Sequence, residues 1–214
     1  IFPLAAKSDA LQVFQTFRSF IEKFLNKNIK TVQTDWGGEF RSFSTYLAQS
    51  GIQFRHPCPY IHHQNGRIER KHRHIVDIGL TLLAQANLPL KFWWNAFHTA
   101  VFLINRLPTP TLNNISPYQN LFAQTPDYNF LRIFCCACFP YLRPYNKHKL
   151  DFRSRRYVFI GYNSQHKGYQ CLHSSGRVYI SNHVIFDENS FPYVSGSDFS
   201  SVSQSCISSN TISP

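Results

Sequence analysis

The sequence predicts an α/β sheet with crossover connections, followed by a small all-β barrel. Three observations carry this. Helical and strand periodicities alternate through the first 56 residues, the grammar of a sheet whose strands are joined by helices. After residue 130 the pattern changes to short strands with turn residues at about every ten positions, as small barrels read. Hydrophobic residues make up 43% of the chain, enough to bury a core and to exclude a disordered chain.

Ser8 reads as the N-cap of a first helix, with Asp9 favourable in its first turn. Leu11, Phe14, Phe17, Ile21, Phe24 and Leu25 recur at helical spacing, so a helix is expected over 9–26, ended by Asn26-Lys27-Asn28. Residues 30–34 alternate as a short strand that Gly37-Gly38 breaks. A short helix over 42–50 carries Phe43, Tyr46 and Leu47, with Gly51 at its C-terminal cap. Residues 52–56 form the next strand, stopped by Pro57 and Pro59.

A long helix is expected from Gln64 to Asn87, with Ile68, Ile75, Ile78, Leu82 and Leu83 on its apolar side. Pro89 punctuates it. A second helix over 91–106 is heavy in aromatics (Phe92, Trp93, Trp94, Phe97, Phe102), a stripe that reads as a packing face rather than a base-stacking platform. Residues 107–129, with four prolines and few charges, read as a linker. Barrel strands are expected over 130–141, 156–162, 169–173, 177–180 and 183–186. The Ser-rich tail from Val194 reads as disordered. The expected division is therefore an α/β part over 1–106, a linker over 107–129, a barrel over 130–193 and a tail over 194–214.

The 214-residue chain carries Lys+Arg 22 against Asp+Glu 11, a net charge of +11, and its pI of about 9.6 points to a polyanionic partner. No apolar run approaches the ~18 residues of a membrane span. The opening Ile-Phe-Pro-Leu has neither the basic start nor the apolar run of a signal peptide, so secretion is not expected. The absence of methionine, with Ile1 inside an apolar run, reads as a piece of a longer reading frame. Six cysteines make no disulfide framework: Cys135, Cys136 and Cys138 crowd one aromatic run, and Cys58, Cys171 and Cys206 are scattered. His62-His63 and His72-x-His74 lack Cys partners at zinc-site spacing.

Two carboxylates stand out. Asp35 closes a predicted strand immediately before Gly37-Gly38, and Glu69 lies in the first turns of the long helix, after Gln64-Asn65-Gly66. One leaving a strand and one entering a helix can converge at the carboxyl edge of a sheet, where α/β folds place ligands. Such oxygen ligands suit Mg²⁺, held by one or two carboxylates plus phosphate oxygens. The plainer roles are a turn Asp and a solvated helical Glu. Basic residues cluster twice: Arg55, Arg67, Arg70, Lys71 and Arg73 against Glu69 alone, then Arg132, Arg143, Lys147, Lys149, Arg153, Arg155, Arg156 and Lys167 against Asp151 alone. Such an excess is the footprint of phosphate contacts, or else a solvated basic face.

Thr34-Asp35-Trp36-Gly37-Gly38-Glu39-Phe40, followed by Gln64-Asn65-Gly66-Arg67-Ile68-Glu69-Arg70-Lys71, resembles the integrase core of copia-type LTR retrotransposons. Leu82-Leu83-Ala84, Asn105-Arg106-Leu107-Pro108 and Ser116-Pro117-Tyr118 extend the resemblance. Gly161-Tyr162, Gly168-Tyr169 and Val184-Ile185-Phe186-Asp187 resemble the barrel that follows that core. The resemblance covers about residues 1–193. It departs from the family at Ile61-His62-His63, where Thr-Pro-Gln is usual.

The resemblance implies an RNase H-like core, incomplete here, then a helical segment and an SH3-like barrel. It implies an Asp-Asp-Glu triad in which Asp35 is the second Asp and Glu69 the Glu, binding two Mg²⁺ (or Mn²⁺) for strand transfer. The first Asp is expected on a strand just before Ile1, so the 214 residues alone are expected to be inert. The implied partner is double-stranded DNA, both element ends and target, with self-association in the intact integrase and residence in the nucleus or a cytoplasmic particle. Expected DNA contacts are Gln64, Asn65, Arg67, Arg70, Lys71, Arg73, Lys147, Lys149, Arg153, Arg155 and Arg156. Two rival readings are a DNA-binding remnant without chemistry and a cellular RNase H-type nuclease, the latter disfavoured by the barrel.

Overall fold

A computed structural model describes residues 1–35, 37–56, 66–142, 150, 152–163 and 167–193. They pack as two compact units, 1–73 and 74–214, a division that falls within a helix rather than in the 107–129 segment.

In the first unit, helix α1 spans Ala10–Leu25. Its N-cap position is Asp9, not the expected Ser8. Asp9 Oδ2 accepts the Ala6 N–H at 3.0 Å, which fixes the entry to the helix, and Ser8 Oγ donates to Asp9 Oδ1. Asn26 ends the helix in the left-handed conformation (φ 49°), which Asn tolerates better than most residues. Glu22 ties the helix to the approach to the first strand, because its Oε1 accepts the Ile29 N–H at 2.8 Å. Arg18 donates to Glu22 and also to the Tyr46 hydroxyl.

Strand β1 (Thr31–Gln33), helix α2 (Phe43–Gln49) and strand β2 (Gln53–Arg55) form a parallel β–α–β unit. Thr31 lies opposite Gln53 and Gln33 opposite Arg55. Gly51 turns the chain after α2 at φ 67°, where a side chain would be strained. Phe43, Leu47 and Ile52 form the buried centre, with Leu11, Phe14, Val32 and Phe54 packed around it. Helix α3 (Gly66–Gln85) begins in this unit and crosses the 73/74 boundary.

The second unit joins helices to a barrel. Helix α4 spans Trp93–Arg106 and a short helix, α5, spans Pro117–Phe122. The 107–129 segment, expected as a linker, is therefore folded: Ser116 Oγ caps α5 by accepting the Gln119 N–H at 3.0 Å, and Pro117 opens the helix. Five antiparallel strands follow: β3 (Ala137–Pro140), β4 (Tyr157–Tyr162), β5 (Tyr169–Leu172), β6 (Val178–Ser181) and β7 (Val184–Asp187). The first is much shorter than the expected 130–141. A 3-10 turn occupies Tyr128–Phe130, and Cys135 takes φ 65°, which breaks an extended run.

The spatial order is β6-β5-β4-β3-β7. Strands β6 and β7 thus occupy opposite edges yet are joined through only Asn182 and His183. A flat five-stranded sheet is about 19 Å wide between its edge strands, whereas that connection reaches at most ~11 Å. The sheet must therefore curl into a barrel.

Strand β4 is buried on both faces. Tyr157 and Phe159 enter the barrel interior with Cys136, Cys138 and Cys171, while Val158 and Ile160 face Leu83, Leu88, Phe92 and Ala96. A register shift between Phe159 and Gly161 inserts one extra residue, so Tyr162 returns to the interior instead of alternating outward. Cys135, Cys136, Cys138 and Cys171 are free and buried, and burial raises the thiol pKa of Cys135 and Cys136, the latter to about 12.

The buried residues of α4 are Ala96, Thr99, Ala100 and Ile104, and of the aromatic stripe Phe92 joins one core and Phe102 packs against the barrel interior. Trp93 stays 44% exposed. Phe97 instead sits where a side chain on Gly79 would collide with its ring. Thr99 is wholly buried, and among the described residues its hydroxyl has no hydrogen-bond partner. A buried unpaired hydroxyl is destabilising, so Thr99→Val should raise stability by about 1 kcal/mol in urea unfolding. A loss of that size would show that the hydroxyl is engaged.

Candidate metal site and nucleic-acid surface

The parallel ladder runs one residue past β1, with the Thr34 N–H donating to the Arg55 carbonyl at 3.1 Å. Thr34 is buried, and Asp35 emerges immediately after it, exposed, at the carboxyl end of the strand. Asp35 Oδ1 accepts the Gly37 N–H at 3.2 Å, an Asx turn that holds the carboxylate beside the glycine pair. Glu69 projects from the first turn of α3, where the helix dipole favours an anion. Both carboxylates line one cavity of about 670 Å³. The rest of its wall is largely apolar, including Phe14, Phe17, Val32 and Phe43. Within the first unit the strand end and the helix start therefore converge.

Glu39 lies near by but is engaged. Its Oε1 pairs with Lys7 Nζ at 3.3 Å, and its own backbone N–H, then Lys7, hold its carboxyl below the usual range. Among the described residues no cluster of three or more His, Cys, Asp and Glu could hold a metal. Asp35 and Glu69 offer two hard oxygen donors on an open cavity, a set that would fit part of a Mg²⁺ shell completed by water and phosphate.

Arg67, Arg70, Lys71 and Arg73 are all exposed on the first two turns of α3, around Glu69. In the second unit Arg153, Arg155 and Arg156 are exposed on the approach to β4, and Arg156 Nη2 donates to Ser190 Oγ at 2.6 Å. Gln64, Asn65, Lys147 and Lys149 lie outside the described residues, as do His62, His63 and the Ser-rich tail. Among the described residues no helix is long and apolar enough to cross a membrane.

Residues 136–199 match the retroviral polymerase SH3-like domain. The chain is 50% identical over 194 residues to the retrovirus-related Pol polyprotein from transposon RE1 of Arabidopsis thaliana, and 48% identical to that from transposon RE2. Each match covers 90% of this chain and 13% of the relative. The Pol polyprotein from transposon TNT 1-94 of Nicotiana tabacum is 32% identical over 192 residues, 88% of this chain and 14% of the relative. A chain of the simian T-cell lymphotropic virus intasome, solved with PP2A regulatory subunit B56 gamma, matches at 16% identity and a TM-score of 0.44, covering 83% of this chain and 62% of that one. With half its residues identical across nine-tenths of its length, the chain is homologous to a small part of the retrovirus-related Pol polyproteins of transposons, and its barrel residues match the retroviral polymerase SH3-like domain.

Proposed function

We propose that these residues are part of a retrotransposon integrase, supplying two of the carboxylates that hold catalytic metal and much of the surface that holds DNA. The observation that carries this reading is the convergence of Asp35 and Glu69 on one cavity. Bound Mg²⁺ would activate a water or 3′-hydroxyl and neutralise charge on the phosphate under attack. Asp35 is oriented for that task by the Gly37 N–H. Glu69 is carried on a rigid helix, and the basic residues on either side of it in sequence draw the phosphodiester backbone toward the carboxylates. The apolar wall lowers the local dielectric, which strengthens each of these interactions.

The test that the chain permits directly is binding. It should bind duplex DNA with little sequence preference, log affinity falling linearly with log salt at about −0.9 per phosphate neutralised. Reversing Arg153, Arg155 and Arg156 to Glu should weaken binding by about tenfold or more and flatten that slope. An affinity unchanged across the salt titration would reduce the basic excess to a solvated face.

A further inference from the structure

Helix α4 ends on Arg106, and this cation is held unusually. Its guanidinium carbon lies 3.4 Å from the centroid of the Phe102 ring and 5.0 Å from that of Tyr118. Its Nη1 donates to the Phe102 carbonyl at 3.2 Å, a helix C-terminal contact that uses one of its donors. The residue is half-buried, and burial lowers its pKa from the usual arginine value. Among the described residues no Asp or Glu pairs with it, whereas Arg18 and Arg132 each have a carboxylate partner.

A guanidinium stacked on rings has already lost part of its hydration and much of its rotamer freedom, so an anion that offers its fork two adjacent oxygens, as a phosphodiester does, meets it at reduced cost. A second cation lies over a neighbouring ring. Lys167 Nζ stands 6.0 Å from the Phe130 centroid, and Phe130 is 6.5 Å from Phe102. Among the described residues no carboxylate acts on the charge of Arg106: the groups that do are the Tyr118 and Tyr162 hydroxyls.

We propose that Arg106, flanked by Lys167, is a phosphate-backbone subsite for nucleic acid, additional to the Arg153-Arg155-Arg156 stretch. The inference rests on the reading that the chain binds DNA.

Fluorescence anisotropy of a labelled 20-bp duplex (~20 bp suffices to cover the site), titrated with R106Q, R106K and K167Q across a salt series, tests it. R106Q should weaken binding about five- to tenfold and make the salt slope shallower by about 0.9. R106K should keep the slope but lose most of the same affinity, because lysine keeps the charge and not the stacked fork. K167Q should lose about threefold. R106Q at wild-type affinity and slope, with the triple arginine reversal still defective, overturns this subsite and leaves DNA binding standing. Absence of DNA binding by the unaltered chain overturns both. If R106Q fails to fold by circular dichroism, R106K and K167Q decide, and wild-type affinity in both overturns the proposal. Competition by inorganic phosphate beyond that of chloride at equal ionic strength would overturn the nucleic-acid assignment in favour of a free-anion site.

Discussion

Asp35→Asn or Glu69→Gln, made in a Pol polyprotein carrying these residues, should on the proposed reading each lower strand transfer by about a thousandfold or more, roughly 4 kcal/mol of transition-state stabilisation. The amides keep the shape of the carboxylates, and the Gly37 N–H can still bond to the amide oxygen of the substituted side chain as it does to Asp35 Oδ1. What is lost is the negative charge that would hold the metal. DNA affinity should be unchanged or slightly higher, since each change removes an anion from a basic surface. Binding and chemistry are thereby separated in one pair of assays: anisotropy for the duplex, product analysis for joining. Glu39→Gln is the control. Glu39 is committed to Lys7, so its loss should leave strand transfer within about twofold, an exposed pair of this kind being worth little. Strand transfer that survives Glu69→Gln would remove Glu69 from the site, and the cavity would then have to be read as a packing feature.

Much of this architecture is written locally. The apolar spacing from Leu11 to Leu25 and the left-handed Asn26 define α1 almost to the residue. The β1–α2–β2 order, with Gly51 as the break, supplies the crossover a parallel pair needs, and the pair is parallel. Asp35 and Glu69 were legible as candidates because one ends a strand and the other starts a helix. The cavity that both line was not, since its wall is assembled from residues as distant in sequence as Phe2 and Ile68. Other features escape a linear reading for the same reason. The 107–129 segment is proline-rich, but those prolines open a 3-10 turn and α5 instead of preventing structure. The aromatics of α4 dominate its periodicity, yet its buried residues are Ala96, Thr99, Ala100 and Ile104, where the helix approaches a glycine on a strand some sixty residues later. Arg106 belongs to a motif that the resemblance marks, but only its distances to Phe102 and Tyr118 give it a physical role.

That close approach sets the largest stability effect expected of a single substitution. Gly161 sits at the bulge of β4 with φ 131°, a conformation that costs an L-residue about 1–3 kcal/mol. A Cβ there would stand 2.8 Å from Thr99 Oγ1 on α4, so the helix would have to retreat from Val158 and Ile160, the barrel residues it shares a core with. Gly161→Ala should therefore destabilise the second unit by about 3–5 kcal/mol, a large fraction of a typical domain's stability. The two causes can be separated. In a Thr99→Ala background the steric part is relieved while the backbone strain remains, so the cost of Gly161→Ala should fall to about 1–3 kcal/mol, and the difference is the coupling between helix and strand. Urea unfolding of the four proteins of that cycle measures it. Equal costs in both backgrounds would mean that α4 does not bear on Gly161 and that strain alone selects glycine there. A cost below about 1 kcal/mol in the unaltered background would mean that neither does.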